Sequence, residues 1–167
     1  MAEKDTIFSS KISYGGIFSF KDFYQFCYQW LKEEMGLEVS EDKYAEKLIG
    51  NAKNIDVDWT GSKEVTDYFK VEVKVSLSVK NLENVEMIRE GAKIKTNKGS
   101  IKVGIKGILV RDYQGKFDVS PTKQFFRGIY EKWVIGSRIE EMEGKVASGS
   151  DEFLNQAKAY LDLEGKK

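Results

Sequence analysis

Phe69-Lys70-Val71-Glu72-Val73-Lys74-Val75-Ser76-Leu77-Ser78-Val79-Lys80 sets every apolar side chain at odd positions and every Lys, Glu or Ser at even ones. Side chains alternate faces along an extended strand, so this stretch reads as a strand with one dry face and one wet face. A strand of that kind belongs to an antiparallel sheet covered on one side only. A slip of one residue would carry the whole apolar set to water, so the pairing register is strongly specified.

The flanking sequence extends the sheet in both directions. Upstream, Ile55, Val57 and Trp59 alternate with Asp56, Asp58 and Thr60. Thr6 to Tyr14 places Phe8, Ser10, Ile12 and Tyr14 on one face, before Gly15-Gly16 breaks or bulges the strand. Residues 40 to 50 read two ways, because Ser40-Glu41-Asp42 could cap a short helix while Tyr44, Glu46 and Leu48 could line a strand. The strand is favoured over about 43–49, turning at Gly50-Asn51. Downstream, Val85 to Arg89 and Lys93 to Thr96 read as a short hairpin around Glu90-Gly91, and Asn97-Lys98-Gly99 as a turn into a strand from Ser100 to Tyr113. Gly104 and Gly107 in that last strand signal a bulge or a close backbone approach.

Helices are expected on both sides of these strands. Ser19-Phe20-Lys21-Asp22 is a capping-box-like start, Phe20, Phe23, Tyr24, Cys27, Leu31 and Met35 follow at helical spacing, and Gly36 suits a left-handed C-cap. Ser120-Pro121 opens a long C-terminal helical segment with Phe125, Phe126, Ile129, Tyr130, Trp133 and Val134 as its stripe. Ile139, Met142 and Val146 fall on nearly the opposite side, which predicts a kink, break or change of packing partner near Gly136. Gly144 and Ser148-Gly149-Ser150 are read as separating a final helix that carries Phe153, Leu154, Ala157, Tyr160 and Leu161. The expected fold is a single α+β domain over residues 1–167. Its antiparallel meander sheet has about six or seven strands, with one helix after the first strand and two or three at the C-terminus covering one face.

Composition narrows function mainly by exclusion. Lys plus Arg equals Asp plus Glu at 27 each, and the basic set is 23 Lys to 4 Arg. Phosphate-backbone binding needs a cationic surplus and bidentate recognition favours Arg, so nucleic acid is not an expected partner. No apolar run is long enough for a membrane span, and the first residues are charged where a signal peptide would be apolar. A cytoplasmic protein is expected, in keeping with a single cysteine, Cys27. Richness in Lys and Glu leans toward a thermophilic or archaeal source. The chain has no histidine, which removes Ser-His-Asp and Cys-His nucleophile systems, His-ligated metals and the usual near-neutral proton shuttle. No metal, cofactor or nucleotide site is expected.

Val65-Thr66-Asp67-Tyr68-Phe69-Lys70-Val71, Lys95-Thr96-Asn97-Lys98-Gly99, Phe125-Phe126-Arg127-Gly128-Ile129-Tyr130-Glu131-Lys132 and the ending Leu163-Glu164-Gly165-Lys166 resemble stretches of small uncharacterised archaeal proteins, over most of the chain. That resemblance implies a source and a length but no site. The order of elements is also similar in outline to the helix-grip fold, in which a curved sheet wraps a long C-terminal helix and often encloses an apolar ligand.

Several residues are candidates for chemistry, each with a plain alternative. Asp56 and Asp58 share a strand face with carboxylates about 6.8 Å apart, a spacing for acid-base work or a cation, or simply a solvated face. Lys70, Lys74, Lys102 and Lys106 form a basic surface if their strands are neighbours, or pair with carboxylates such as Glu72. Cys27 lies in an aromatic stripe, where a thiol behaves as a small hydrophobe. Phe26, Tyr28 and Ile135 widen the apolar faces of their helices, through burial on two sides, an inner pocket, or a patch for a partner. The leading expectation is a non-catalytic protein whose sheet and C-terminal segment enclose a hydrophobic ligand against Trp59, Phe69, Val71, Val73, Phe126, Ile129 and Trp133. The alternatives are an assembly or adaptor module and a histidine-free enzyme.

Overall fold

The computed structural model describes residues 3–114 and 136–166, together with residues 122, 125, 126, 129 and 132. In chain order the elements are β1 (Glu3–Phe18), α1 (Phe20–Glu33), β2 (Glu38–Ile49), β3 (Ala52–Glu64), β4 (Phe69–Arg89), β5 (Ala92–Arg111) and α2 (Gly136–Lys166). The strands make one antiparallel sheet in the order β1-β5-β4-β3-β2. β2 to β5 are therefore a meander, and β1 lies along the outer side of β5. Among the described residues the architecture is α+β as expected, but the sheet has five strands rather than six or seven.

The overcount has a local cause. The expected hairpin at 85–96 exists, with Glu90 and Gly91 both at positive φ and Met87 opposite Ile94. Its arms are the continuations of β4 and β5, not separate strands. What reads as a break is a bulge: Asn81 takes φ 54° and the register shifts between Lys80 and Glu83. A Cβ at Gly99 would lie 3.0 Å from the backbone of both Leu82 and Lys80, so Gly99 admits the bulged strand instead of ending its own. Gly15-Gly16 likewise stays within β1, paired with Ser100 and Gly99.

α1 follows its sequence signals. Ser19 Oγ accepts from Asp22 N at 3.4 Å, and Gly36, at φ 67°, turns the chain after the last turn. Phe23, Cys27 and Leu31 of α1 are buried against Val57, Trp59, Val75, Leu77, Val103 and Ile105 of the sheet. Each such side chain contributes about 1.5–3 kcal/mol of transfer free energy. Phe26 and Tyr28, on the flanks of that stripe, are covered within the chain: Phe26 stacks on Tyr160 at 4.7 Å and Tyr28 meets Trp59 edge-on at 5.7 Å. Cys27 is core, and burial pushes its thiol well above the ordinary range.

α2 corrects the expectation of separate C-terminal helices, since it runs without interruption through Gly144 and Ser148-Gly149-Ser150. Met142, Val146, Ser150, Phe153, Leu154, Ala157 and Leu161 form its single buried stripe. The small residues fit the helix to its neighbours. A Cβ at Gly107 of β5 would lie 2.5 Å from Ser150 Oγ and 2.7 Å from Val146 Cγ1, so glycine there lets α2 descend onto the sheet. The first part of the expected C-terminal helix, including its Ser120-Pro121 start, lies outside the described residues apart from isolated positions.

The β4–β5 ribbon reaches the far end of α2. Arg89 Nη2 donates to Glu164 O at 3.2 Å and Nη1 to Glu164 Oε2 at 3.4 Å. The last carbonyls of a helix lack intrahelical partners and carry its negative dipole end, so a guanidinium there is doubly favourable. Arg89→Ala is expected to lower stability by about 1–2 kcal/mol, because a charged donor to a partly buried carbonyl and carboxylate is lost. Urea unfolding checks it, with Arg89→Lys recovering only part of the loss.

Candidate functional site

The C-terminal end of α1, the ends of β3 and β4, and α2 converge at one side of the sheet. A groove of about 450 Å³ opens there, lined by Trp30 and Met35 from α1 and its exit, Leu37, Val71 of β4, and Met142, Val146 and Gly149 of α2. Glu34, Lys63, Lys145 and Glu152 also line it. The sequence builds this place locally. Gly36 reverses the chain so that Leu37 N bonds Leu31 O at 3.1 Å, and Leu37 then packs where a Cβ at Gly61 would be only 2.9 Å from its Cδ1. Trp30 leans on Phe153 at 5.7 Å between ring centroids. The outcome is an apolar floor with charged groups around it.

The seven residues expected to line a ligand cavity are dispersed. Trp59 and Val73 are solid core in the main cluster, and Phe69 belongs to a second cluster with Tyr68, Leu109, Met142 and Val146. Val71 is half-buried and lines the groove. Phe126 and Ile129 are 55% and 39% exposed, and Trp133 lies outside the described residues, as does Ile135. Trp30, Met35, Leu37, Met142, Val146 and Gly149 were missed as lining. A signal for three of them was present in the sequence: Met35 follows the apolar spacing of α1, and Met142 and Val146 share a helical spacing with Ile139.

A second concavity, of about 610 Å³, lies at the other end of α1, against β2 and the β3–β4 side of the sheet. Phe20, Tyr24 and Tyr44 line it with Glu41, Glu46 and Lys53. Tyr24 OH donates to Glu41, which also accepts from Trp59 Nε1 at 3.2 Å, and Tyr44 OH donates to Glu46 at 2.8 Å. Burial, and then the carboxylate at each phenol, push Tyr24 and Tyr44 up to about 12.

The outer face of the sheet carries the remaining candidates. Lys74 stands directly opposite Lys106 across β4 and β5, and Lys102 is opposite Ser78. Lys70 is on β4 opposite Val110. Glu72 pairs instead with Lys4 of β1 at 3.2 Å. Asp56 and Asp58 are exposed on the same open face, opposite Ala45 and Lys43 of β2. Asp58, together with Asp42, Ser76, Gly104, Lys74 and Lys106, lines a concavity of about 690 Å³ on that face, which Asp56 does not line. Among the described residues no group of three or more His, Cys, Asp or Glu is placed to hold a metal ion, and no helix is long and apolar enough to cross a membrane. Comparison of the chain with protein-family models, with curated proteins and with solved structures found no match.

Proposed function

We propose that the protein is a non-catalytic binding protein that holds a predominantly apolar small molecule in the groove between the sheet and α2. The observation that carries this reading is the lining itself: Trp30, Met35, Leu37, Val71, Met142 and Val146 converge from three elements on an open volume of about 450 Å³. That size falls within the usual range for ligand sites, which is about 300–1,000 Å³. Two methionines suit the role, because an unbranched thioether adapts its shape to an irregular guest. Lys63 and Lys145 are at hand for a polar end of the ligand.

Gly149→Leu tests the proposal. A Cβ at 149 would lie 3.1 Å from Met35 Cε, the movable end of a flexible chain, so the new side chain enters the groove without backbone conflict. Leucine also raises helix propensity by about 0.5–1 kcal/mol over glycine. The variant is expected to fold as stably as the parent and to lose at least about tenfold in affinity for an apolar fluorescent probe such as 1-anilinonaphthalene-8-sulfonate, one tenfold step being about 1.4 kcal/mol. Native mass spectrometry of the unmodified protein would show a co-purified ligand. No saturable probe binding by the parent, or unchanged binding by Gly149→Leu, overturns the reading.

A second reading, an assembly or adaptor module, is favoured by the exposure of Phe125, Phe126 and Ile129, with the two phenylalanine rings 5.9 Å apart. The same mass spectrum decides it through the oligomeric state.

A further inference from the structure

The groove at the start of α1 differs in kind from the one proposed to hold an apolar ligand. Its walls are aromatic rings set at steep angles: Tyr24 and Tyr44 are 6.1 Å apart with 81° between their planes, and Phe20 lies 6.0 Å from Tyr24 at 55°. Behind them Trp59 meets Tyr24 at 5.1 Å. Two rings at right angles offer a corner to one small group. Tyr44 is 45% exposed although its ring is apolar, and Glu41 and Glu46 stand at the same opening.

We propose that this corner binds an alkylated ammonium ion, with a quaternary or methylated head against the faces of Tyr24 and Tyr44. Aromatic faces carry the negative part of the ring quadrupole and attract cations. Each phenol donates its proton to a carboxylate, Tyr24 to Glu41 and Tyr44 to Glu46, which drives electron density into the ring and strengthens that attraction. Glu41 supplies a counter-charge, while Glu46 is shared with Lys53 at 3.7 Å.

Hydration of the cation sets the selectivity. Glu41 Oε1 already accepts from Tyr24 and Trp59, and Glu46 Oε1 from Tyr44 while also facing Lys53. A primary ammonium is strongly hydrated and needs acceptors for its three N–H groups, which ring faces do not supply. A methylated ammonium needs no acceptor and loses little hydration, so ring faces suffice.

The test is a titration followed by NMR, using choline, tetramethylammonium and 3,3-dimethyl-1-butanol, which has the shape of choline without its charge. Choline and tetramethylammonium are expected to shift the resonances of Tyr24, Tyr44 and their neighbours saturably, with choline at least about tenfold tighter than the neutral analogue. Tyr44→Leu should weaken choline by about tenfold, and Tyr44→Phe, which keeps the ring, by much less. Gly149→Leu, at the opposite end of α1, should leave choline binding unchanged, which separates this site from the apolar groove. Equal affinity for the neutral analogue, no saturable shift with either cation, or wild-type affinity in a folded Tyr44→Leu overturns the proposal.

Discussion

Trp59→Ala is expected to destabilise the protein by about 3–5 kcal/mol, the usual cost of emptying a buried aromatic site. Trp59 is 1% exposed on the inner face of β3, with Tyr24 and Tyr28 edge-on at 5.1 and 5.7 Å. Truncation opens a cavity among rings that cannot collapse into it, and it removes the indole donor that Glu41 accepts at 3.2 Å. Trp59→Phe restores most of the volume but not the donor, and should cost about 1–2 kcal/mol. Urea unfolding followed by circular dichroism gives both values without relying on tryptophan emission. The result bears directly on function. Were Trp59 a wall of a ligand chamber, alanine would enlarge the chamber with a loss of well under about 1 kcal/mol, as for substitutions away from packed cores.

The second large effect is expected at the seat of α2. Gly107→Ala brings a methyl group against Ser150 Oγ and Val146 Cγ1, both closer than any relaxed Cβ contact. Overpacking of this kind costs about 1–3 kcal/mol, and Gly107→Val should exceed it. Ser150 offers an internal control, because its hydroxyl is buried and has no hydrogen-bond partner among the described residues. Ser150→Ala alone should be neutral or stabilising, since it removes an unpaired buried oxygen. Combined with Gly107→Ala it should recover part of the loss, through a coupling of about 0.5–3 kcal/mol between touching residues. A double-mutant cycle in urea measures that coupling. Strict additivity would mean that α2 does not rest on Gly107 through Ser150.

Much of this architecture was legible because it depends on neighbours in sequence. The alternation of Phe69 to Lys80 appears as the buried inner and wetter outer faces of β4. Ser19 and Gly36 bound α1 because a hydroxyl cap and a left-handed residue act within one turn of the helix. Gly50-Asn51 and Glu90-Gly91 are the turns of their hairpins, with positive φ at Gly50, Glu90 and Gly91. Other glycines misled. Gly99 and Gly149 read as punctuation, yet Gly99 faces a bulge on β4 and Gly149 faces Met35 just after α1. A glycine permits both a chain reversal and a close approach, and only the partner distinguishes them.

The ligand lining shows the same division. Val71 was legible as an inward residue of a dry strand face, but not that the chain would leave it half-covered while Val73, two residues on, is sealed. Trp59 was legible as inward and apolar, but whether it met space or the rings of Tyr24 and Tyr28 depended on α1.

By itself the sequence determined which residues face inward, where the first helix and the hairpins begin and end, and, through the absence of histidine, which catalytic systems are closed to the chain. These follow from backbone periods and capping, which act over a few residues. The tertiary structure alone decided that β4 and β5 run on through a bulge, that α2 is one rod seated on Gly107, and that the groove beside Val71 and the aromatic corner at Tyr24 and Tyr44 lie at opposite ends of α1. Such features are set by which surfaces meet across long separations in sequence, and a local pattern carries no information about the shape of the surface it will meet.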